Sequence, residues 1–538
     1  MNRIWTVVVS FLLVLFGGGC QPAASTGQPA ATPVAPVAAA PVTPAVKPLM
    51  RWHSLGLLAL ASSDEGTRLK DVLSLPESAL VRSNTLAKLA RNLPVLLFPE
   101  AATNQDQAVK LKPLLEDVLN YESKVEWVSG SPLRWRVAVK IPVEHTGLWT
   151  ANLYALVVRG ELAGKIPLTN ITDTAVMAGY SEEATYRYGL KDSWVTVERA
   201  ETGYDWDALA KSEAKMETNA WLALELDTKV LPHVARLMAS EQLPYARLTM
   251  TGKGQNQTSR LSLKFSQALG LVPQPWQVPT NTIQDPVISF TAWQGIGAWW
   301  SRQDWLKPLG LTVAPQQAYA WAQSDVPFQT FFAFPAAGAS NLVATSVDRW
   351  TNDFNGVISN RLAGRMMSRT NELVWTGLPV ILPYLKAAPE PKDDHLVFGF
   401  FPMSPNSTNL PPELLQQFVG RTNVIYYDWE ITEARVNQWI TFSPLLFMTS
   451  NRLPMANSPV PYQWLRAIAT KLGNAVTEAE LAAADEVKVL RNSPAGFTSL
   501  ELYILTRWLD QTGFPKWDEE VGPVMTVPDA AANPPAPK

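Results

Sequence analysis

The chain has 538 residues, 47% apolar and 17% charged, with a net charge of −3. That length exceeds one ordinary core and points to two or three domains. A near-neutral balance without basic clusters excludes nucleic acid as a partner.

The first 20 residues read MNRIWTVVVSFLLVLFGGGC. An arginine precedes an apolar run from Ile4 to Phe16, long enough for a signal-peptide core and too short to span a bilayer. The run ends at Gly17-Gly18-Gly19-Cys20, which resembles the lipobox of bacterial lipoproteins, with Gly17 where leucine is usual. The resemblance implies that Cys20 becomes the first mature residue and carries the lipid. Because Gln21 follows instead of aspartate, it also implies delivery to the outer membrane. Residues 21–49 are nearly all Pro, Ala, Val and Thr, with little to bury; they are expected to form a disordered, semi-rigid tether.

The body begins near residue 50. Ser78–Asn92 and 105–122 carry apolar residues at helical spacing, the second through Leu111, Leu114, Leu115 and Val118. Strands are predicted at 124–128, 134–142, 194–198 and 221–227. Residues 247–265 alternate around Gly252-Lys253-Gly254 as a hairpin with one wet face. Four prolines and no periodicity mark 271–286 as a linker. Beyond it, strands are predicted at 287–293, 318–322, 329–335, 372–377, 395–401 and 424–431. Helices are predicted at 295–309, 338–352 and from Pro412. WLALELD, a helix and RLTMTG match HLVFGFF, the helix at 412–419 and VIYYDWEI in order, an order that suggests a duplicated module. Further helices follow, one opened by the capping box Thr498–Glu501 with Gly513 placed to stop it.

The expected fold is α+β: two tandem mixed sheet-and-helix modules with additional C-terminal helices. The expected divisions are 1–20 signal peptide, 21–49 tether, 50–270 first domain, 271–286 linker, 287–520 second domain and 521–538 disordered tail.

Chemistry is sparse. Cys20 is the one cysteine, so no internal disulfide or thiolate metal site can form. His53, His145, His233 and His395 lack ligand spacing, and no metal is expected. Gly295 and Gly297 sit in a strand-to-helix turn, but Trp300 stands where a dinucleotide fingerprint needs its third glycine, so no cofactor is expected. The 21 tryptophans fall mostly in strand or helix periodicity and are expected in the core.

Asp428-Trp429-Glu430 resembles the end of the family-18 chitinase signature, Asp-Gly-x-Asp-x-Asp-Trp-Glu. The resemblance makes Glu430 the general acid, with Asp428 beside it. The two earlier aspartates are Asn423 and Tyr426 here, and the glycine is Val424. Alternation gives another account. Tyr427 and Trp429 take one face of the strand, while Asp428 and Glu430 take a solvent-facing one, with Thr432 free to cap the next helix. On that account neither carboxylate is catalytic. The sequence therefore reads as a non-catalytic envelope lipoprotein with a binding or structural role. Its partners would be the membrane, through the lipid, and an envelope glycan or another envelope protein. Alternatives are a glycan-directed hydrolase using Asp428 and Glu430, and a lipid or lipoprotein carrier.

Overall fold

The structure is a computed structural model. It describes residues 48–97, 105–128, 134–159, 177–180, 185–200, 220–228, 244–301, 309, 311, 313–324, 329–358, 365–369, 372–377, 382–388, 394–401, 408–409, 412–449 and 459–515. The leader, most of the tether and the tail lie outside that set. So do His233 and the helix expected between WLALELD and RLTMTG, residues 302–308 of the predicted 295–309 helix and parts of both predicted domains.

The first half supplies nine strands: β1 (Met50–Ser54), β2 (Ser123–Val128), β3 (Arg134–Lys140), β4 (Met177–Tyr180), β5 (Thr185–Lys191), β6 (Trp194–Ala200), β7 (Ala220–Asp227), β8 (Tyr245–Lys253) and β9 (Asn256–Lys264). After the short β10 (Gln284–Asp285) come β11 (Val287–Gln294), β12 (Gln317–Gln323), β13 (Thr330–Pro335), β14 (Arg365–Arg369), β15 (Glu372–Thr376), β16 (Tyr384–Ala388) and β17 (His395–Gly399). β18 (Thr408–Asn409), β19 (Val424–Ile431), β20 (Asn474–Ala483) and β21 (Glu486–Ser493) complete the set. The helices are α1 (Leu57–Ser62), α2 (Thr67–Ser74), α3 (Pro76–Leu97), α4 (Gln105–Asn120), α5 (Thr146–Arg159), α6 (Gly297–Trp300), α7 (Ala339–Ile358), α8 (Pro412–Gln416), α9 (Thr432–Thr449), α10 (Val460–Ala469) and α11 (Ser499–Asp510). The class is α+β.

Among the described residues, nineteen strands form one antiparallel sheet, and its pairings trace a single path. From one edge it runs β4-β5-β6-β3-β2-β1-β7-β8-β9, then crosses into the second half as β21-β20-β19-β11-β12-β13-β17-β16-β15-β14. Read outward from the β9–β21 junction, the halves have the same topology. β1 corresponds to β11, β2 to β12, β3 to β13, β6 to β17, β7 to β19, β8 to β20 and β9 to β21. Two equivalent edge strands pair antiparallel at the junction, from Gln257 opposite Ser493 to Lys264 opposite Glu486. That pairing relates the halves by an approximate two-fold axis normal to the sheet.

The recurrence is real in topology, but its register differs from the sequence expectation. WLALELD is β7 and corresponds to VIYYDWEI, not to HLVFGFF; RLTMTG lies in β8 and corresponds to β20. The β20–β21 hairpin escaped the sequence reading because Ala and Glu dilute its alternation.

Most of the described helices cover one face of the sheet, while the short α8 packs Leu415 on the other. α4 and α5 lie over β3, β5 and β6 through Leu114, Trp149, Val139 and Val195. α7 covers the second half through Val343, Trp350, Leu373 and Leu396. α2, α9, α10 and α11 share an apolar cluster of their own, including Val72, Val436, Leu465, Ile468 and Leu502. Each fully buried aliphatic side chain of these clusters stabilises by about 1.5–3 kcal/mol.

The opposite face differs between the halves. In the first it carries alternating charges in one cross-strand row: Glu198, Arg136, Glu126, Arg51, Glu225 and Arg247 on β6, β3, β2, β1, β7 and β8. Arg51 lies 3.3 Å from Glu126 and 3.4 Å from Glu225, and Arg247 lies 2.8 Å from Glu225. In the second half the same face is aromatic, with Phe290, Tyr319, Trp321, Phe331 and Tyr427 buried. The stretch expected as a linker crosses this aromatic face, burying Trp276 and Ile283, and Phe418 stacks on Tyr427 with centroids 4.8 Å apart.

Candidate functional site

Strand β19 positions the two candidate carboxylates. Its alternation sends Tyr427 and Trp429 into the aromatic core, as the period-2 pattern requires. Asp428 and Glu430 take the other face, but that face is not wet. They are 7% and 4% exposed, because the helical layer lies over them. This corrects the solvent-facing expectation. Alternation identifies two faces, and only the tertiary packing says which is covered.

Beneath the helices the sheet presents a row of polar side chains in register. Ser259 on β9, Arg491 on β21, Thr477 on β20, Asp428 on β19 and Thr291 on β11 stand opposite one another in turn. Thr291 donates its hydroxyl to Asp428 Oδ1 at 2.7 Å, and Arg491 Nε donates to Thr477 Oγ1 at 2.9 Å. Glu430 lies one pleat along, opposite Ser289.

Helix α11 meets this row with its first turn. The backbone amide of Ser499 donates to Glu430 Oε1 at 2.6 Å, and the Ser499 hydroxyl donates to Oε2 at 2.7 Å. A carboxylate from the sheet thus satisfies a free N–H at the positive end of the helix dipole. The predicted capping box is present: Thr498 accepts from the Glu501 amide and Glu501 accepts from the Thr498 amide. Glu501 also takes a bidentate pair of hydrogen bonds from Arg491, at 2.7 and 2.9 Å. Arg491 donates further to the carbonyl of Gly496 at 3.0 Å. On α9, Arg435 donates to Thr330 Oγ1 at 3.0 Å and Gln438 Oε1 at 2.6 Å, its guanidinium over the ring of Trp439. Thr432 is the first residue of α9, with its buried hydroxyl unpartnered in this network, so it does not cap the helix as expected.

Burial, then the neighbouring charge of Glu430, pushes the Asp428 carboxyl up to about 7, against the hydrogen bond from Thr291. Burial also raises Glu501, opposed by Arg491, and lowers Arg435 to about 10. Asp428 Oδ2 is buried and takes part in none of these hydrogen bonds.

Chemically, Glu430 and Glu501 are hydrogen-bond acceptors with both oxygens engaged in holding α11 to the sheet. A general acid must reach a substrate oxygen directly or through one water, and Glu430 faces a helix end instead. Sequence reasoning singled out Asp428, Glu430 and the capping box, but not Arg491, Arg435, Ser499 or Thr291. No local signal marks those four, because their roles come from strands and helices far apart in the chain. Among the described residues no group of three or more His, Cys, Asp or Glu side chains is placed to hold a metal. The described histidines bond elsewhere: His53 to Glu122, His145 to Asp117 and His395 to the carbonyl of Gln277. No described helix is long and apolar enough to cross a membrane. Cys20 lies outside the described residues.

No family model matches the sequence, and no curated protein does. Two solved structures of TP0453 are similar to part of the chain. Crystal form III is 10% identical with a TM-score of 0.23, over 43% of this chain and 79% of that one. Crystal form I is 9% identical with a TM-score of 0.20, over 44% and 98%. Likeness at that level carries no argument about activity.

Proposed function

We propose that this protein is a non-catalytic lipoprotein of the cell envelope, anchored through Cys20 and acting by binding or as a structural part. The observation that supports the non-catalytic reading most directly is the hydrogen bonding of Glu430. Both of its oxygens accept from Ser499, inside the interface between sheet and helices. A carboxylate held in that way anchors a helix; it does not protonate a glycosidic oxygen. The anchoring part of the proposal rests on the apolar leader, the glycines before Cys20 and the Pro/Ala-rich stretch after it.

The test has two arms. Metabolic labelling with a fatty-acid probe is expected to mark the wild type and not Cys20→Ser; equal labelling of both overturns the anchor. A hydrolysis screen on chitin-like and peptidoglycan fragments is expected to show no turnover. Turnover that vanishes in a folded Glu430→Gln variant would establish the hydrolase reading instead.

A further inference from the structure

The interface between the sheet and the α9–α11 layer is polar at its centre, and its charges do not balance. Three carboxylates, Asp428, Glu430 and Glu501, share it with two guanidinium groups, Arg435 and Arg491, and all five residues are buried. With every group ionised the cluster carries one excess negative charge; with one proton bound it is neutral. Burying an uncompensated charge is costly, whereas a neutral hydrogen-bonded cluster is tolerated. Among the described residues, the other groups facing Asp428 do not supply the missing charge. β11 offers Ser289 and Thr291, β20 offers Ala475 and Thr477, and β19 adds the phenol of Tyr426. From α2, the guanidinium of Arg68 packs against Gly473 at the margin, on the chain leading into β20.

The same cluster lies where the helical layer meets the sheet. α2, α9, α10 and α11 share their own apolar cluster, and the aromatic core lies on the far side of the sheet. Between them, Ser499 on Glu430 and Arg491 on Glu501 hold the start of α11 to the strands. Asp428 sits one pleat from Glu430 with Oδ2 outside this network, so it is where the extra proton is accommodated.

We infer that this cluster is a proton-linked latch, closed when Asp428 carries a proton and loosened when it does not. In the closed state the α9–α11 layer sits on a neutral polar patch. Loss of the proton leaves a buried negative charge that only water can relieve, and the layer must lift from the sheet to admit it.

Hydrogen exchange of the α11 and α9 amides, corrected for the intrinsic pH dependence of exchange, tests the latch on the full chain. Wild-type protection is expected to fall by about tenfold per pH unit between roughly pH 5 and 7 and then level off, as linkage to one proton requires. Asp428→Asn is expected to abolish that slope. Thr291→Val keeps the charge count and removes the hydrogen bond given to the ionised carboxylate, so the same fall is expected at higher pH. That second variant decides the matter even where Asp428→Asn fails to fold. Protection that does not vary with pH in the wild type overturns the latch. An unchanged slope in a folded Asp428→Asn does so too, as does an unmoved or lowered midpoint in Thr291→Val.

Discussion

Glu430 and Ser499 stand 69 positions apart in the chain and make two hydrogen bonds, from the Ser499 amide at 2.6 Å and from its hydroxyl at 2.7 Å. The strand that resembles a catalytic motif is thereby tied to the first turn of α11. A hydrogen bond to a charged group is worth about 1.5–3 kcal/mol, and a buried donor left alone costs about 1–3. Glu430→Ala is therefore expected to destabilise by about 3 kcal/mol in urea melts, and Ser499→Ala by about 1–2. A solvent-facing carboxylate would have cost within about 0.5 kcal/mol. The double variant should cost clearly less than the two single losses together.

Arg491 and Glu501 form a buried ion pair in the interface, 2.7 Å apart. Removing one partner leaves the other charged and uncompensated, which costs about 3–5 kcal/mol. Arg491→Ala is expected in that range by chemical denaturation. Arg491→Met combined with Glu501→Leu removes both charges and is expected to recover most of the loss. A double variant as unstable as the single one would show that packing, not charge, carries the effect.

Stability should also depend on pH through Asp428. Its carboxyl is raised in the folded protein by burial and by Glu430, to about 7. A folded-state value above the unfolded one means that the native state holds the proton more tightly. The contribution is thus complete in acid, below the ordinary carboxylate range, and is lost as pH rises toward 7. Melts from pH 4 to pH 8 should show a loss on the order of 2–4 kcal/mol attributable to this group. Asp428→Asn should flatten that part of the profile and exceed the wild type in stability above pH 7.

On the other face of β19, Tyr427 is fully buried and stacked on Phe418, whereas Trp429 is only partly buried against the same core. Tyr427→Ala is expected to cost about 3–5 kcal/mol, as for other buried aromatics. Trp429→Ala should cost less, roughly 2–3, although tryptophan is the larger residue. Thermal melts of the two variants side by side check the order.

The charged row of the first half makes a salt-sensitive prediction. Glu225 sits between Arg51 and Arg247 and also accepts from the Tyr245 hydroxyl at 3.1 Å. Cross-strand pairs of opposite charge contribute about 0.2–1 kcal/mol each. Glu225→Gln is expected to lose about 1–2 kcal/mol at low salt, and less at 1 M salt, where screening already weakens the wild-type row. Equal losses at both salt concentrations would mean that the row is held by packing of the side-chain stems.

Local pattern was enough to place several elements. Period-2 alternation identified β19 and the β8–β9 hairpin, and helical spacing identified α4. The Thr498–Glu501 capping box marked the start of α11. These signals are legible because each depends on neighbours within a few residues. Gly254 is a further case: the two-residue turn between β8 and β9 places it at φ 58°, a conformation glycine adopts without a Cβ penalty. Which side of a strand is covered depends instead on partners distant in the chain. Asp428 and Glu430 read as wet residues because alternation separates faces without saying which one a helix will bury. Arg51, Glu126 and Glu225 gave no cross-strand signal, since their row exists only once β2, β1 and β7 are aligned. The repeated topology was likewise decided by pairing, because β9 and β21 meet over a separation of more than 200 positions. Sequence determined the period of each element; tertiary structure decided the polarity of each face, because burial is a property of two surfaces and a local pattern describes one.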